Sequence, residues 1–117
     1  MTKLPSGIYK ITNLANNQVY IGQSENMFLR RKQHFVALRH GSHPNAQMQK
    51  DYTTQRGHYF RWDVVEYCAI NNLNEREKYW IDKYDSINCG YNQGWQPYKR
   101  KTKKTSAKVK KYGYRKK

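Results

Sequence analysis

The sequence predicts an α/β domain in which a small antiparallel sheet is flanked by helices. Its apolar patterns follow one another as strand, strand, helix, helix, strand and helix, and few connections are long enough for the crossovers that parallel strands require. A chain of 117 residues has room for one hydrophobic core. Its 11 Tyr and 3 Trp supply large apolar groups for that core, although the chain is hydrophilic on average.

The first two strands are predicted to form a hairpin. Residues 7–12 (GIYKIT) and 18–23 (QVYIGQ) are rich in β-branched and aromatic residues, and NLANN separates them. Asn16 and Asn17 tolerate the left-handed backbone of a tight turn. A loop over residues 14–17 would put Tyr9 and Tyr20 on the same face of the sheet, as diagonal neighbours about 7 to 8 Å apart.

Two helices are predicted to follow the hairpin. The first begins after Asn26 or Ser24 as N-cap and stops at Gly41. Its apolar residues at helical spacing are Met27, Phe28, Phe35 and Leu38. The second and weaker helical stretch covers residues 45–57 (NAQMQKDYTTQRG).

The second half of the core is predicted to be a strand and a third helix. Residues 59–68 (YFRWDVVEYC) are dense in β-branched and aromatic residues, which favours a strand covered on both faces. Residues 73–86 place an apolar stripe along one helix face. The stripe consists of Leu73, Trp80, Ile81 and Tyr84. Residues 87–97 are expected to be irregular and to pack through Tyr91 and Trp95.

Charge divides the chain into a nearly balanced body and a basic tail. The net charge is +15, and residues 98–117 hold 11 Lys and Arg with no acidic residue. We therefore predict a domain over residues 1–97 and a basic, flexible tail over 98–117 that contacts a polyanion such as nucleic acid. The candidate contacts are Lys99, Arg100, Lys101, Lys103, Lys104, Lys108, Lys110, Lys111, Arg115, Lys116 and Lys117.

No membrane segment or disulfide is expected. The longest apolar runs, residues 35–38 and 67–70, are far below the roughly 20 residues that span a bilayer. The first ten residues lack the apolar region of a signal peptide, so the protein is expected inside the cell, in a reducing setting. Cys68 and Cys89 are therefore interpreted as small core residues.

Glu77 is the first candidate for chemistry, because it lies on the apolar stripe of the third helix, four residues from both Leu73 and Ile81. A carboxylate there is a natural ligand for a divalent ion such as Mg²⁺. The alternative is a capping box in which Asn74 is the N-cap and Glu77 its partner at the third helical position.

Arg30 and His34 are four residues apart and share a helix face, which suits phosphoryl chemistry. The alternative is a solvated basic face. Tyr9 and Tyr20 either converge as two functional phenols or pack across the hairpin. Asn92 lies in a turn-rich segment and by default stabilises a turn.

A zinc site is a weaker alternative. His40, His43, Cys68 and Cys89 would supply four ligands, but their spacing matches no usual zinc pattern.

These positions together resemble the GIY-YIG nuclease superfamily. Its two-part signature is similar to Gly7, Ile8 and Tyr9 followed by Tyr20, Ile21 and Gly22, and the resemblance covers roughly residues 6–93. In pattern it is closest to the catalytic domains of phage and intron-associated homing endonucleases. The positions that resemble the family's functional residues are Tyr9, Tyr20, Arg30, His34, His43, Glu77 and Asn92.

The resemblance implies a three-stranded antiparallel sheet in an α/β sandwich, and hydrolysis of double-stranded DNA with Mg²⁺ or Mn²⁺ held by Glu77. Tyr9 would act as the general base or relay to it, and Arg30 would stabilise the phosphoryl oxygens. Tyr20 and His34 would position water or phosphate, and the choice between Tyr9 and His34 as proton acceptor stays open. The expected ends are a 5′-phosphate and a 3′-hydroxyl.

With one site per chain, the expected product is a nick, and a double-strand break requires a transient homodimer on DNA or sequential cuts. The expected setting is the cytoplasm of a bacterial or phage-infected cell. Two alternatives remain: a structure-specific DNA repair nuclease, and a non-catalytic nucleic-acid-binding protein that uses the basic tail.

Overall fold

The computed structural model describes residues 5–99. Residues 1–4 and 100–117 lie outside it, and with them all of the predicted tail except its first two residues. The elements are β1 (Gly7–Asn13), β2 (Gln18–Ser24), α1 (Met27–His40), α2 (Ala46–Gln55), β3 (Phe60–Tyr67), a 3-10 turn (Ile70–Asn72), α3 (Leu73–Tyr84) and α4 (Ser86–Cys89).

The three strands form one antiparallel sheet in the order β2-β1-β3, so the predicted fold class is confirmed. The hairpin register pairs Tyr9 with Gly22 and Ile11 with Tyr20, across a loop over residues 14–17. The left-handed conformation falls on Asn17, with φ 63°. The predicted loop length and pairing parity are therefore both correct.

Each face of the sheet carries its own hydrophobic cluster. One face packs against α3, and its cluster contains Ile8, Val19, Ile21, Cys68, Leu73 and Ile81. The other face packs against α1 and α2, and its cluster contains Tyr9, Ile11, Met27, Leu38, Met48 and Tyr91. Because β1 is the central strand, neighbouring residues such as Ile8 and Tyr9 are both buried, in opposite clusters.

Local signals for α1 are confirmed. The side chain of Asn26 accepts a hydrogen bond from the backbone N–H of Leu29 at 3.1 Å, and Gly41 ends the helix with φ 76°. Within the predicted apolar face, however, the Phe28 side chain is 82% exposed. Phe28 follows Met27 in α1, and within residues 5–99 its side chain faces away from the buried side of the helix.

The third strand packs on both faces, as predicted, but it is only partly buried. Val65 packs against one cluster, and Phe60 and Trp62 pack against the other. No residue of β3 is fully buried, because β3 is an edge strand and β1 is the central strand. Amino-acid composition does not distinguish an edge strand from a central strand, because aromatic residues are common in both.

Three further expectations need correction. Cys89 is exposed, since it lies on the outside of the single-turn α4, which forms where the sequence predicted irregular chain. Asn72 occupies the N-cap of α3 and makes no side-chain cap bond, so the capping box of Asn74 and Glu77 does not form. Cys68 is buried as expected, and both cysteines are unpaired thiols.

Within residues 5–99, every helix is too short or too polar to cross a bilayer.

Candidate active site

Gly7 and Gly22 in the hairpin have neighbouring atoms so close that a side chain at either position would clash with them. A Cβ added at Gly22 would lie 2.3 Å from the phenol oxygen of Tyr9, whose ring crosses the strand at this point. A Cβ added at Gly7 would lie 2.3 Å from the carbonyl oxygen of Glu66 on β3. Gly22 therefore makes room for the Tyr9 side chain, whereas Gly7 makes room for the backbone of β3.

The hairpin places Tyr9 and Tyr20 side by side, with ring centroids 6.3 Å apart. Tyr9 is 1% exposed, and the ring of Trp62 on β3 stacks on it at 4.5 Å. Sequence reasoning missed Trp62, although a Trp on the strand that pairs with the Tyr9 strand is the available signal. The Tyr9 ring is thus held between Gly22 and Trp62.

Helix α1 brings Arg30 and His34 to the Tyr9 hydroxyl. The Tyr9 oxygen lies 2.6 Å from Nε2 of His34, and Nε of Arg30 donates to the same oxygen over a longer 3.4 Å. His34 is 4% exposed, which rules out a solvated basic face for this residue. Arg30 and His34 therefore share a helix face, as predicted, and both contact the Tyr9 oxygen.

His43 extends this cluster from the loop between α1 and α2. Its Nε2 lies 2.7 Å from Nδ1 of His34, and the two rings stack with centroids 5.0 Å apart. Burial and, as the smaller cause, the nearby Arg30 guanidinium together lower the pKa of His43 to about 4. His43 is therefore neutral at pH 7.

Tyr20 is half-buried in the same region. Burial raises the pKa of its phenol well above the ordinary value of 10.0, the charge of Tyr9 adds to the rise, and Arg30 opposes it. Tyr20 thus keeps its proton at neutral pH. In this form its hydroxyl can donate a hydrogen bond but cannot act as a general base.

Glu77 is buried on α3, with 5% exposure. Its Oε1 accepts hydrogen bonds from Nε2 of Gln23 at 2.7 Å and from the indole N–H of Trp95 at 3.2 Å. Gln23 also donates to the side-chain oxygen of Asn74 at 2.8 Å. Sequence reasoning found Glu77 but missed Gln23 and Trp95, because both reach it only through the tertiary fold.

The groups around Glu77 that could ligate a metal fit a divalent ion that keeps most of its bound water molecules. Among residues 5–99, no group of three or more His, Cys, Asp and Glu side chains is placed to hold a metal ion, which also removes the zinc alternative. One buried carboxylate on a pocket wall is what Mg²⁺ uses when water and phosphate oxygens fill its other positions. Glu77 is the carboxylate that meets this description.

Asn92 lies against the outer edge of β2. Its side-chain oxygen accepts from the backbone N–H of Ile21 at 2.8 Å, and its amide donates to the carbonyl of Ile21 at 2.9 Å. Both ends of the amide are thus used to hold the chain after α4 onto the sheet. This geometry favours a structural role for Asn92 over the predicted catalytic one.

A pocket of about 940 Å³ is lined by several of these side chains. Arg30 and His34 line it from α1, Glu77 lines it from α3, and Tyr20 lines it from β2. Residues 92–99 close one side, where the backbone N–H of Tyr98 bonds the side chain of Asn74 at 2.9 Å. Lys99 is exposed and borders the pocket, and the other predicted tail contacts lie outside the described residues.

Comparison with known proteins agrees with this arrangement. Residues 5–92 match the GIY-YIG catalytic domain family. The chain is 34% identical over 91 residues to intron-associated endonuclease 1 of Enterobacteria phage T4, and this match covers 76% of the chain but 37% of the relative. The chain thus spans little more than a third of that protein.

Two solved structures resemble the fold. The catalytic domain of the homing endonuclease I-TevI is 33% identical, with a TM-score of 0.69 over 76% of this chain and 98% of that one. A single-substitution variant of the same domain gives a TM-score of 0.68 at 33% identity, covering 76% of this chain and 93% of that one. The protein belongs to the GIY-YIG family of catalytic domains.

Proposed function

We propose that this protein is a metal-dependent DNA endonuclease of the phage or intron type. The observation that carries the proposal is the meeting, in one pocket, of a buried carboxylate on α3 with an arginine and a histidine on α1 that both reach the Tyr9 hydroxyl. A phosphodiester needs a base for water and positive charge for its oxygens, and these residues supply them. Nucleases of this family generally depend on a divalent metal ion.

In the proposed reaction, a water oxygen attacks phosphorus and its proton passes to the Tyr9 oxygen. The bond between phosphorus and the 3′ oxygen breaks, the 3′ oxygen takes a proton from solvent, and a 5′-phosphate remains. Tyr9 must begin as the phenolate, a charge that the Arg30 donor and the His34 hydrogen bond stabilise. Tyr9 then returns its proton to solvent.

The other side chains hold the phosphate. Arg30 lines the pocket, and its guanidinium, which donates to Oε1 of Gln33 at 3.2 Å, would bind phosphoryl oxygens there. Tyr20 keeps its proton and would donate to a phosphoryl or water oxygen. Mg²⁺, or Mn²⁺, bound at Glu77 would neutralise charge on the phosphate and the departing oxygen.

Double-stranded DNA is the proposed substrate, because two charge features favour a polyanion. Helix α1 carries Arg30, Arg31, Lys32 and Arg39 with no acidic residue. The chain beyond residue 97 adds 11 Lys and Arg. Because each chain has one Tyr9, one Arg30 and one Glu77, we propose that the monomer nicks one strand and that double-strand cleavage needs a transient homodimer or a second event.

The test is conversion of supercoiled plasmid to nicked and linear forms with Mg²⁺. The E77A protein and an EDTA reaction should each lose this activity on the order of 100-fold or more, because the metal ligand or the metal is missing. Glu75→Ala is the matched control, since Glu75 is an exposed carboxylate on the same helix, two residues from Glu77. Equal nicking by wild type and E77A would contradict the proposal.

The outcome also separates the alternatives. Cleavage of branched DNA with an intact plasmid would point to a structure-specific repair nuclease. Tight DNA binding by both proteins with no cleavage of any substrate would point to a non-catalytic binding protein.

A further inference from the structure

The loop between α1 and α2 contains a hydrogen-bond donor whose direction is fixed. The backbone N–H of Asn45 lies 3.0 Å from Nδ1 of His43. A backbone amide always donates, so Nδ1 of His43 must be the acceptor and carry no proton. A neutral imidazole has one N–H, which therefore lies on Nε2 of His43.

The proton on Nε2 of His43 also fixes the role of the His34 nitrogen that it faces. Nε2 of His43 lies 2.7 Å from Nδ1 of His34, and since the His43 nitrogen carries the proton, Nδ1 of His34 must accept. The proton of a neutral His34 then lies on Nε2, which is 2.6 Å from the Tyr9 oxygen. Each ring thus donates to the next group, and the last acceptor is Tyr9.

The backbone N–H of Asn45 can donate to His43 in a fixed direction, because other hydrogen bonds hold Asn45 in place. Asn45 is the N-cap of α2, and its side-chain oxygen accepts from the N–H of Met48 at 3.0 Å. Its side-chain amide donates to the carbonyl of Tyr91 at 2.7 Å. On the other side, the N–H of His43 donates to Oε1 of Gln49 at 2.9 Å. Both ends of the contact are therefore anchored.

We propose that the backbone N–H of Asn45 sets the tautomers of His43 and His34, so that His34 donates to Tyr9 and His43 acts as the positioning residue for this donor. His34 then has no nitrogen left to accept the Tyr9 proton. Resting on the proposed function, this assigns the role of proton acceptor to Tyr9 and excludes His34 from it.

The neutral state of His43 agrees with this arrangement of hydrogen bonds. A doubly protonated His43 would point its Nδ1 hydrogen at the backbone N–H of Asn45, so the two groups could not bond. The lowered pKa of His43 removes that form at neutral pH. Burial is the larger cause of that lowered pKa and the nearby Arg30 is the smaller one.

The direct test is ¹⁵N NMR of the histidine ring nitrogens in metal-free protein near pH 7.5, because protonated and unprotonated ring nitrogens have distinct shifts. His34 and His43 should each show a protonated Nε2 and an unprotonated Nδ1. A proton on Nδ1 of either ring, or an imidazolium at His34, would overturn the proposal. This readout needs no DNA, so it stands apart from the test of the nuclease function.

Two substitutions at His43 extend the test. H43L removes the donor, and His34 should then show a mixture of both tautomers. H43Q keeps an amide donor near the same place and should restore part of the Nε2 form. An unchanged His34 tautomer in H43L would overturn the role of His43 as a positioning residue.

The kinetics should follow the tautomers. H43L should lower kcat on the order of 10- to 100-fold, the usual cost of losing an orienting partner of a functional histidine, with DNA affinity kept. H43Q should recover part of this loss. Equal kcat values for H43L and wild type would contradict the proposal, provided that thermal melting shows both proteins folded.

Discussion

The phenol ring of Tyr9 lies against the Cα of Gly22, its partner across the hairpin, so closely that a Cβ at residue 22 would come within 2.3 Å of the Tyr9 oxygen. Trp62 stacks on the ring at 4.5 Å. Because the ring has a neighbour on both sides, its hydroxyl position depends on residue 22 having no side chain.

We therefore predict that G22A lowers the cleavage rate on the order of 100-fold, the cost of misplacing a reacting group by about 1 Å. Single-turnover cleavage measures this. The control is Gly41→Ala at the end of α1, where φ is 76° and no atom lies within 4 Å of the added Cβ. G41A should cost about 1 kcal/mol of stability and leave the rate unchanged. Similar rates for G22A and G41A would refute the role of Gly22.

The parts of this site that the sequence predicted are set by local periodicity. Strand alternation is enough to put Tyr9 and Tyr20 on one face, and helical spacing is enough to pair Arg30 with His34. Glu77 was identified because a carboxylate on an apolar stripe breaks the helical pattern.

The parts that were missed depend on tertiary placement. Gln23 and Trp95 reach Glu77 from a different strand and from the segment after α4, and no spacing rule connects them. The edge position of β3 likewise follows from how the sheet is assembled. A backbone donor such as the Asn45 amide leaves no trace in side-chain identity, since every residue except proline has one.

The second prediction concerns Glu77, the proposed metal ligand. Gln23→Leu keeps the approximate volume but removes the donor to Oε1 of Glu77. We expect a 10- to 100-fold higher Mg²⁺ concentration for half-maximal cleavage, on the order found when a supporting partner of a ligand is lost. A magnesium titration of the nicking rate measures it. Gln18→Leu, on the same strand but outside the pocket, is the control and should behave as wild type.

The third prediction concerns pH. In the folded protein the pKa of His43 is lowered to about 4, whereas in the unfolded chain it is near the ordinary 6.5. Below pH 6.5 the unfolded chain therefore binds a proton that the folded protein does not. This contribution to stability is complete above pH 6.5 and is lost as the pH falls toward 4.

Urea unfolding from pH 7.5 to 4.5 measures this loss as a difference between proteins. Wild type should lose on the order of 2 kcal/mol more than H43Q over this range, after allowance for solvent screening. Subtracting the H43Q curve removes the contributions of the remaining histidines. Parallel curves for the two proteins would show that His43 titrates normally.

The fourth prediction separates the structural from the catalytic role of Asn92. N92A leaves the N–H and C=O of Ile21 without their side-chain partner, and the free energy of unfolding should fall by about 2 kcal/mol. The rate per folded molecule, measured well below the melting temperature, should change by less than about threefold, since a residue that only holds the fold contributes little to the barrier. Asn88→Ala, at an exposed site on α4, is the stability control. A large rate loss in a stable N92A protein would restore the catalytic interpretation.

The fifth prediction concerns the basic tail and where to cut it. Because Tyr98 bonds Asn74 at both its N–H and its carbonyl, truncation should begin after Lys99 so that the pocket wall is kept. Removing residues 100–117 deletes ten Lys and Arg and no acidic residue. Phosphate contacts release counterions, so the truncated protein should bind DNA more weakly at low salt and show a shallower dependence of log K on log salt.

Fluorescence anisotropy with a DNA duplex at 50 to 300 mM salt tests this, beside a full-length variant in which the same Lys and Arg are replaced by Gln. If charge alone is responsible, the truncated and neutralised proteins should have the same shallow slope of log K against log salt. Their DNA affinities should approach that of the wild type only at high salt. Cleavage at saturating protein should stay near the wild-type rate in both, because Glu77, Arg30 and Tyr9 are unchanged. A neutralised tail that binds like wild type would mean that the tail acts through something other than its charge.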